Sequence, residues 1–200
     1  LQGLLVIFLL HWVVAHIIEF QYTKLIDESV GSSDATSHDE SLAHGLGSFH
    51  MLFYASALVF QLLVASRILR KIGTAGSFLL HSLVTFFSSL SLLLGFGYFT
   101  VILAKNNFEL SGIVHKNAYE ASYYALPHGT QRNVREFFEA FVYPAGTIVG
   151  TVLVLFVQFF FLPEHAFLAM QIILVAFTVG MIVFAFHLQH FYTRLSKENL

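Results

Sequence analysis

The feature that most constrains this chain is its succession of long apolar runs separated by short polar breaks. A membrane-crossing helix needs roughly 20 mostly apolar residues to span about 30 Å of hydrocarbon. Residues 4–26, 49–71, 76–104, 134–162 and 164–192 each meet that length. Composition points the same way. Of 200 residues, 56% are apolar and 11% charged, against about 25% charged in ordinary soluble domains. A water-soluble globule with 23 Phe and so few charges has no means of covering its own core. The net charge of −2 excludes a basic nucleic-acid-binding domain, and no nucleic-acid partner is expected. With no cysteine, disulfides, thiolate metal sites and thiol nucleophiles are excluded. The first run has neither a basic leader nor a small-residue cleavage site, so it reads as a span and not a signal peptide. The chain starts inside an apolar run, as a piece of a longer protein would.

Residues 105–126 are too polar to assign by hydropathy. Phe108, Ile113, Tyr119 and Tyr123 recur at helical spacing, with Glu109, Lys116 and Glu120 among them. Charge asymmetry argues that this segment crosses. Cytoplasmic loops of membrane proteins carry excess Lys and Arg. With six spans and an inner N-terminus, seven of the ten basic residues lie inside: Arg67, Arg70, Lys71, Arg132, Arg135, Arg194 and Lys197. The outer segments then hold Asp27, Glu28, Asp34, Asp39, Glu40 and Glu164. The expected fold class is therefore an all-α membrane protein of one domain with six transmembrane helices and both termini cytoplasmic. Asp27–Gly47 is expected as a polar outer loop, with its His38 and His44 solvated. Gly73 is a helix C-cap candidate.

Three segments resemble a known family. Glu19-Phe-Gln-Tyr22 with Lys24 is similar to the acidic-aromatic-Gln-aromatic-Lys stretch in the seventh helix of the ATP:ADP antiporter (nucleotide transporter) branch of the major facilitator superfamily. Residues 61–73, ending in Arg67-Ile-Leu-Arg-Lys-Ile-Gly73, resemble the basic loop after the second helix of each half. Tyr119-Glu-Ala-Ser-Tyr-Tyr-Ala-Leu-Pro127, followed by Arg132-Asn-Val-Arg135, resembles the aromatic-x-x-Leu-Pro turn before the eleventh helix. Bacterial relatives in that branch are fused to HEAT-repeat or cyclic-nucleotide-binding domains. The resemblance implies the C-terminal half of a carrier, helices seven to twelve, in a bacterial inner membrane. Its partners would be the lipid bilayer, a missing N-terminal six-helix half and a small solute moved by alternating access. The alternative is a membrane anchor or sensor serving soluble regulatory domains. Thr147 stands where a basic residue would suit a nucleotide carrier, so ATP/ADP exchange itself is less well supported than the fold.

Charged groups at mid-bilayer cost about 2.5–3.5 kcal/mol on insertion scales, so they mark candidate sites. Glu19, Gln21, Lys24, Lys116 and Glu120 are the candidates for a solute cavity. His16 and Glu19 share a helix face, either as a proton-responsive pair or through a helix-packing hydrogen bond. Lys116 and Glu120 are four apart, as an internal ion pair or as cavity groups. Arg67, Arg70, Arg135, Glu136 and Glu139 are inner-gate candidates, with dipole capping as the simpler role of the acids. Gly146-x-x-x-Gly150 permits close helix approach beside a Pro144 kink. Trp12 and Phe159–Phe161 read as lipid contacts. No catalytic constellation, cofactor motif or locally spaced metal-ligand set occurs, so neither an enzyme nor a metal site is expected.

Overall fold

A computed structural model of the chain describes residues 2–30, 35–95, 97–124, 126 and 128–198. All regular structure in it is helical. The helices are α1 (Gln2–Val30), α2 (Ala35–Phe60), α3 (Ser66–Leu94), α4 (Tyr98–Tyr123), α5 (His128–Phe137), α6 (Tyr143–Phe160) and α7 (Pro163–Glu198). A π-helical turn, Gln61–Ala65, joins α2 to α3, and a second, Phe138–Val142, joins α5 to α6. Four stretches are long and apolar enough to cross a membrane: Gly3–Glu28, Ala43–Leu94, Gly129–Phe160 and His165–His190. This is the composition of an integral membrane protein.

The 52 residues of Ala43–Leu94 would measure about 78 Å as one straight helix, over twice the hydrocarbon thickness. They are not one straight helix. Gly73 adopts φ 72° and ψ −179°, a conformation that only glycine enters cheaply. The chain turns there, immediately after Arg67, Arg70 and Lys71.

Three boundaries differ from those read in the sequence. The segment 27–47 is not a loop throughout, because α1 runs on to Val30 and α2 begins at Ala35. Ser, Asp and His lower helix propensity only modestly, and polarity alone does not stop a helix. Residues 31–34 and the side chain of His38 lie outside the described residues. The third run ends at Leu94 and not at residue 104, because Gly95 and Gly97 take extended backbone. Thr100 then caps α4: its hydroxyl accepts from the Gly97 N–H at 2.9 Å and donates to the Gly97 carbonyl at 2.7 Å. The fifth helix begins at His128, six residues before the apolar run that signals it.

The polar segment around 105–126 is indeed helical and packed among the others, as α4. Its principal neighbour is α3, whose buried face is unusually small and hydroxylated: Ser77, Ser82, Thr85, Ser88 and Ser89. Ser77, Ser82, Thr85 and Ser89 donate back to the carbonyl four residues earlier, at 2.7–2.9 Å. Their hydroxyls are thereby satisfied within α3, and small side chains let α4 and α7 approach closely.

Two apolar clusters stack along the bundle. One joins Ile18, Ile26, Phe53, Leu92, Val101 and Ala166. The other joins Ile7, Phe78, Tyr119, Phe138 and Leu188. The end of α1, the end of α3 and the starts of α4 and α7 thus share one end of the molecule. The start of α1, the end of α4, the second π turn and the end of α7 share the other, so successive long helices alternate in direction. The exposed rim is almost wholly apolar, with Leu62, Phe99, Leu155, Phe159 and Phe160 among its most exposed side chains. That is the surface a lipid environment accepts.

Candidate functional site

The polar side chains gather on one cleft between α1, α4 and the α5–α6 helix, with a volume of about 620 Å³. α1 contributes Phe8, Trp12, Ala15, His16 and Glu19, one stripe at helical spacing, with His11 beside it. α4 contributes Lys105, Glu109, Lys116 and Glu120, spaced four, seven and four, again a single stripe. Arg135, Glu139 and Tyr143 close the third side.

α6 is held against α1 by the glycine pair. A Cβ on Gly146 would lie 2.6 Å from the Trp12 Cβ and 3.2 Å from the Leu9 carbonyl oxygen. On Gly150 it would lie 2.8 Å from the His16 Cβ and 3.3 Å from the Val13 carbonyl oxygen. Only glycine permits this approach, and it sets the width of the cleft. Trp12 is therefore no lipid contact: its ring meets Tyr143 edge-on at 4.2 Å and lines the cleft.

Lys105 is the electrostatic centre of one end. It is buried, and its ammonium donates to Glu109 at 2.6 Å and lies 2.5 Å from Glu19 across the helix interface. Glu19 also has His50 at 3.8 Å. His16 does not pair with Glu19, because its Nδ1 lies 3.1 Å from the Trp12 carbonyl, a helix-internal bond. At the other end Arg135 donates to Glu139 at 2.8 Å, and Arg132 to Glu136 at 2.6 Å. Lys116 and Glu120 are exposed to the cleft, and among the described residues no ion pair joins them.

Of the sequence candidates, the cleft gathers Glu19, Lys116, Glu120, Arg135 and Glu139. It does not gather Gln21 or Lys24. Gln21 follows Glu19 by two residues, about 200° around the helix, and is wholly buried with neither amide atom partnered. The Lys24 ammonium sits 4.4 Å from the centre of the Phe167 ring and 3.9 Å from Glu28. The inner gate across α3 and α5 is not formed. Arg67 and Arg70 are exposed on the first turns of α3, while Glu136 and Glu139 are taken by arginines of their own helix.

The structure also assembles a group that the sequence does not reveal. His11 of α1, His81 of α3 and His115 of α4 meet in the buried wall of the cleft, with one nitrogen of each within 4.8 Å of the others. His11 Nδ1 and His81 Nε2 share a hydrogen bond of 2.8 Å. The His115 ring stacks on His11 at 4.5 Å and 10°. Separations of 70 and 34 residues leave no local spacing to read. The one available signal is that His81 is the only titratable residue between Gly73 and Gly95.

No protein-family model, no curated protein and no solved structure matches the chain. The cleft itself therefore carries the functional argument.

Proposed function

We propose that the chain is the C-terminal half of a major-facilitator-type carrier, moving a small solute by alternating access along the α1–α4–α5/α6 cleft. On this reading Ala43–Leu94 counts as two spans divided at Gly73, and α4 is a sixth span whose charges face the cleft. The basic residues beside Gly73 and at the start of α5 then lie on the cytoplasmic side with both termini. The observation that carries the reading is the concentration of charge. Four carboxylates and three cations line one open cleft. Ionisable groups at membrane depth face a solute path or each other. In carriers of this architecture the site lies at the interface of two repeats, and a cleft open on one side fits the role of one half.

The chain has no cysteine, so single cysteines report access cleanly. In the intact protein, Lys116→Cys and Glu120→Cys are expected to react with a membrane-impermeant thiol reagent from both sides, and to keep stability within about 0.5 kcal/mol of wild type because neither is ion-paired. Ser48→Cys and Thr130→Cys are expected to react from opposite sides only. Reaction of the cleft cysteines from a single side would favour the anchor or sensor over the carrier.

A further inference from the structure

We propose that His11, His81 and His115 form a binding site for a divalent first-row transition-metal ion, with a coordination position open to the cleft. The proposal does not depend on transport.

The first argument is donor chemistry. Three neutral imidazoles suit zinc, copper, nickel, cobalt or iron and not magnesium or calcium, which prefer oxygen. A tetrahedral ion with metal–nitrogen bonds of about 2.0–2.1 Å holds its ligands about 3.4 Å apart. The three nitrogens here lie within 4.8 Å of one another, the closest pair at 2.8 Å. No separation in the set exceeds ligand spacing by more than about 1.4 Å.

The second argument is tautomer control. The Ser111 hydroxyl donates to the Asn107 carbonyl at 2.7 Å, so its proton is committed. Its oxygen therefore accepts from His81 Nδ1 at 2.8 Å. That puts the proton of His81 on Nδ1 and leaves Nε2 to accept from His11 Nδ1; an ion bound between the two rings requires the His11 proton to shift from Nδ1 to Nε2. A metal-binding histidine is held in this way, by a hydrogen bond through its other nitrogen.

The third argument is independent of both. His115 is 2% exposed, and neither of its ring nitrogens has a hydrogen-bond partner. An unsatisfied buried polar group costs about 1–3 kcal/mol. Packing does not require an imidazole there, since any flat ring of that size would stack on His11. A metal ligand accounts for the nitrogen. His11 and His115 line the cleft directly, which supplies a path for the ion and a place for a water or solute as fourth ligand. The cleft's carboxylates exceed its cations by one, which favours a dipositive ion.

The test uses the full-length protein in detergent, stripped with a chelator and titrated with Co2+, whose visible absorption reports tetrahedral nitrogen coordination. The expected result is one Co2+ per chain with those bands, displaced by Zn2+. His81→Ala and His115→Ala each lose the bands, and His16→Ala retains them. Ser111→Ala keeps the bands but binds about 10–100-fold more weakly, the usual cost of removing such an outer partner. Where an alanine variant does not fold, His115→Cys decides: a thiolate-to-cobalt charge-transfer band is expected, and folded His115→Cys protein without one overturns the proposal. Wild-type protein without tetrahedral bands, or bands that survive in His115→Ala, overturns it equally.

Discussion

Substituting Gly146 by Ala tests the seat of α6 on α1 more sharply than any other single change. In an ordinary helix the substitution stabilises, because Gly is about 0.8–1.0 kcal/mol worse than Ala. Here the new methyl would stand 2.6 Å from the Trp12 Cβ and 3.2 Å from the Leu9 carbonyl oxygen. Carbon–carbon contacts are comfortable at about 3.5–4.0 Å, so roughly 1 Å of extra separation is needed. A Cβ moves only with its backbone, so a rotamer change of Trp12 brings no relief and the two helices must part. Overpacking of this kind costs about 1–3 kcal/mol. Set against the propensity gain of about 0.8–1.0 kcal/mol, the net expectation is a loss of about 0–2 kcal/mol. Adding Gly150→Ala is expected to cost less than a second full increment, because one displacement of α6 relieves both contacts. Gly47 is the control: it lies in α2 with nothing within 4 Å of its would-be Cβ, and Gly47→Ala should gain about 0.5–1 kcal/mol. Unfolding in mixed detergent micelles reads both, with Trp12 emission as a local probe because Trp12 is the only tryptophan of the sequence. Gly146→Ala that is as stable as Gly47→Ala would refute the close α1–α6 contact.

Lys105→Gln leaves Glu19 and Glu109 facing each other without their shared cation, and a loss of about 2 kcal/mol is expected; this lies below the 3–5 kcal/mol of a fully buried pair because both carboxylates are near 40% exposed. Glu19→Gln leaves Glu109 on Lys105 and should cost no more than about 1 kcal/mol, so the order of the two unfolding midpoints is the check. Gly73→Ala meets no atom within 4 Å but must adopt φ 72° with ψ −179°, a region nearly restricted to glycine, so it should lose about 1–3 kcal/mol in the same assay, from backbone conformation alone.

The helices were legible because apolar run length is a strong signal, and the breaks at Gly73 and Pro163 are chemically explicit. The Gly95–Gly97 break was equally explicit, but the apolar residues on both sides of it masked the turn. For the cleft, residues on one helix face can be grouped by spacing alone, and Glu19, Lys116 and Glu120 line it. Their partners could not be found that way. Lys105 meets Glu19 across helices, and charge spacing within α4 says nothing about which helix lies opposite. Gln21 and Lys24 follow Glu19 closely in sequence but lie about 200° and 140° around the helix from it, and neither lines the cleft. The histidines were missed for the same reason: each is isolated on its own helix, and only the packing of α1, α3 and α4 makes them a group.

The charge on α4 bears on how the bundle can be assembled at all. Each of Lys105, Glu109, Lys116 and Glu120 would cost about 2.5–3.5 kcal/mol if exposed to hydrocarbon at mid-bilayer, and less toward either face. Over half of the helix is apolar, but these four charges and three Asn lower its mean hydropathy, and α4 is absent from the stretches that qualify as spans by composition. It cannot be stable in lipid as an independent span. Its hydroxyl and histidine face is covered by α3, the helix immediately before it in the chain, so the two helices are suited to enter as a hairpin. Its charged stripe is only half covered: Lys105 is buried between two carboxylates, while Lys116 and Glu120 remain open to the cleft. That open side must face water or another polar protein surface, never lipid. A carrier half meeting its counterpart around an aqueous path satisfies this requirement. A simple anchor would need a further helix laid over the cleft, with acceptors and donors set against Lys116 and Glu120.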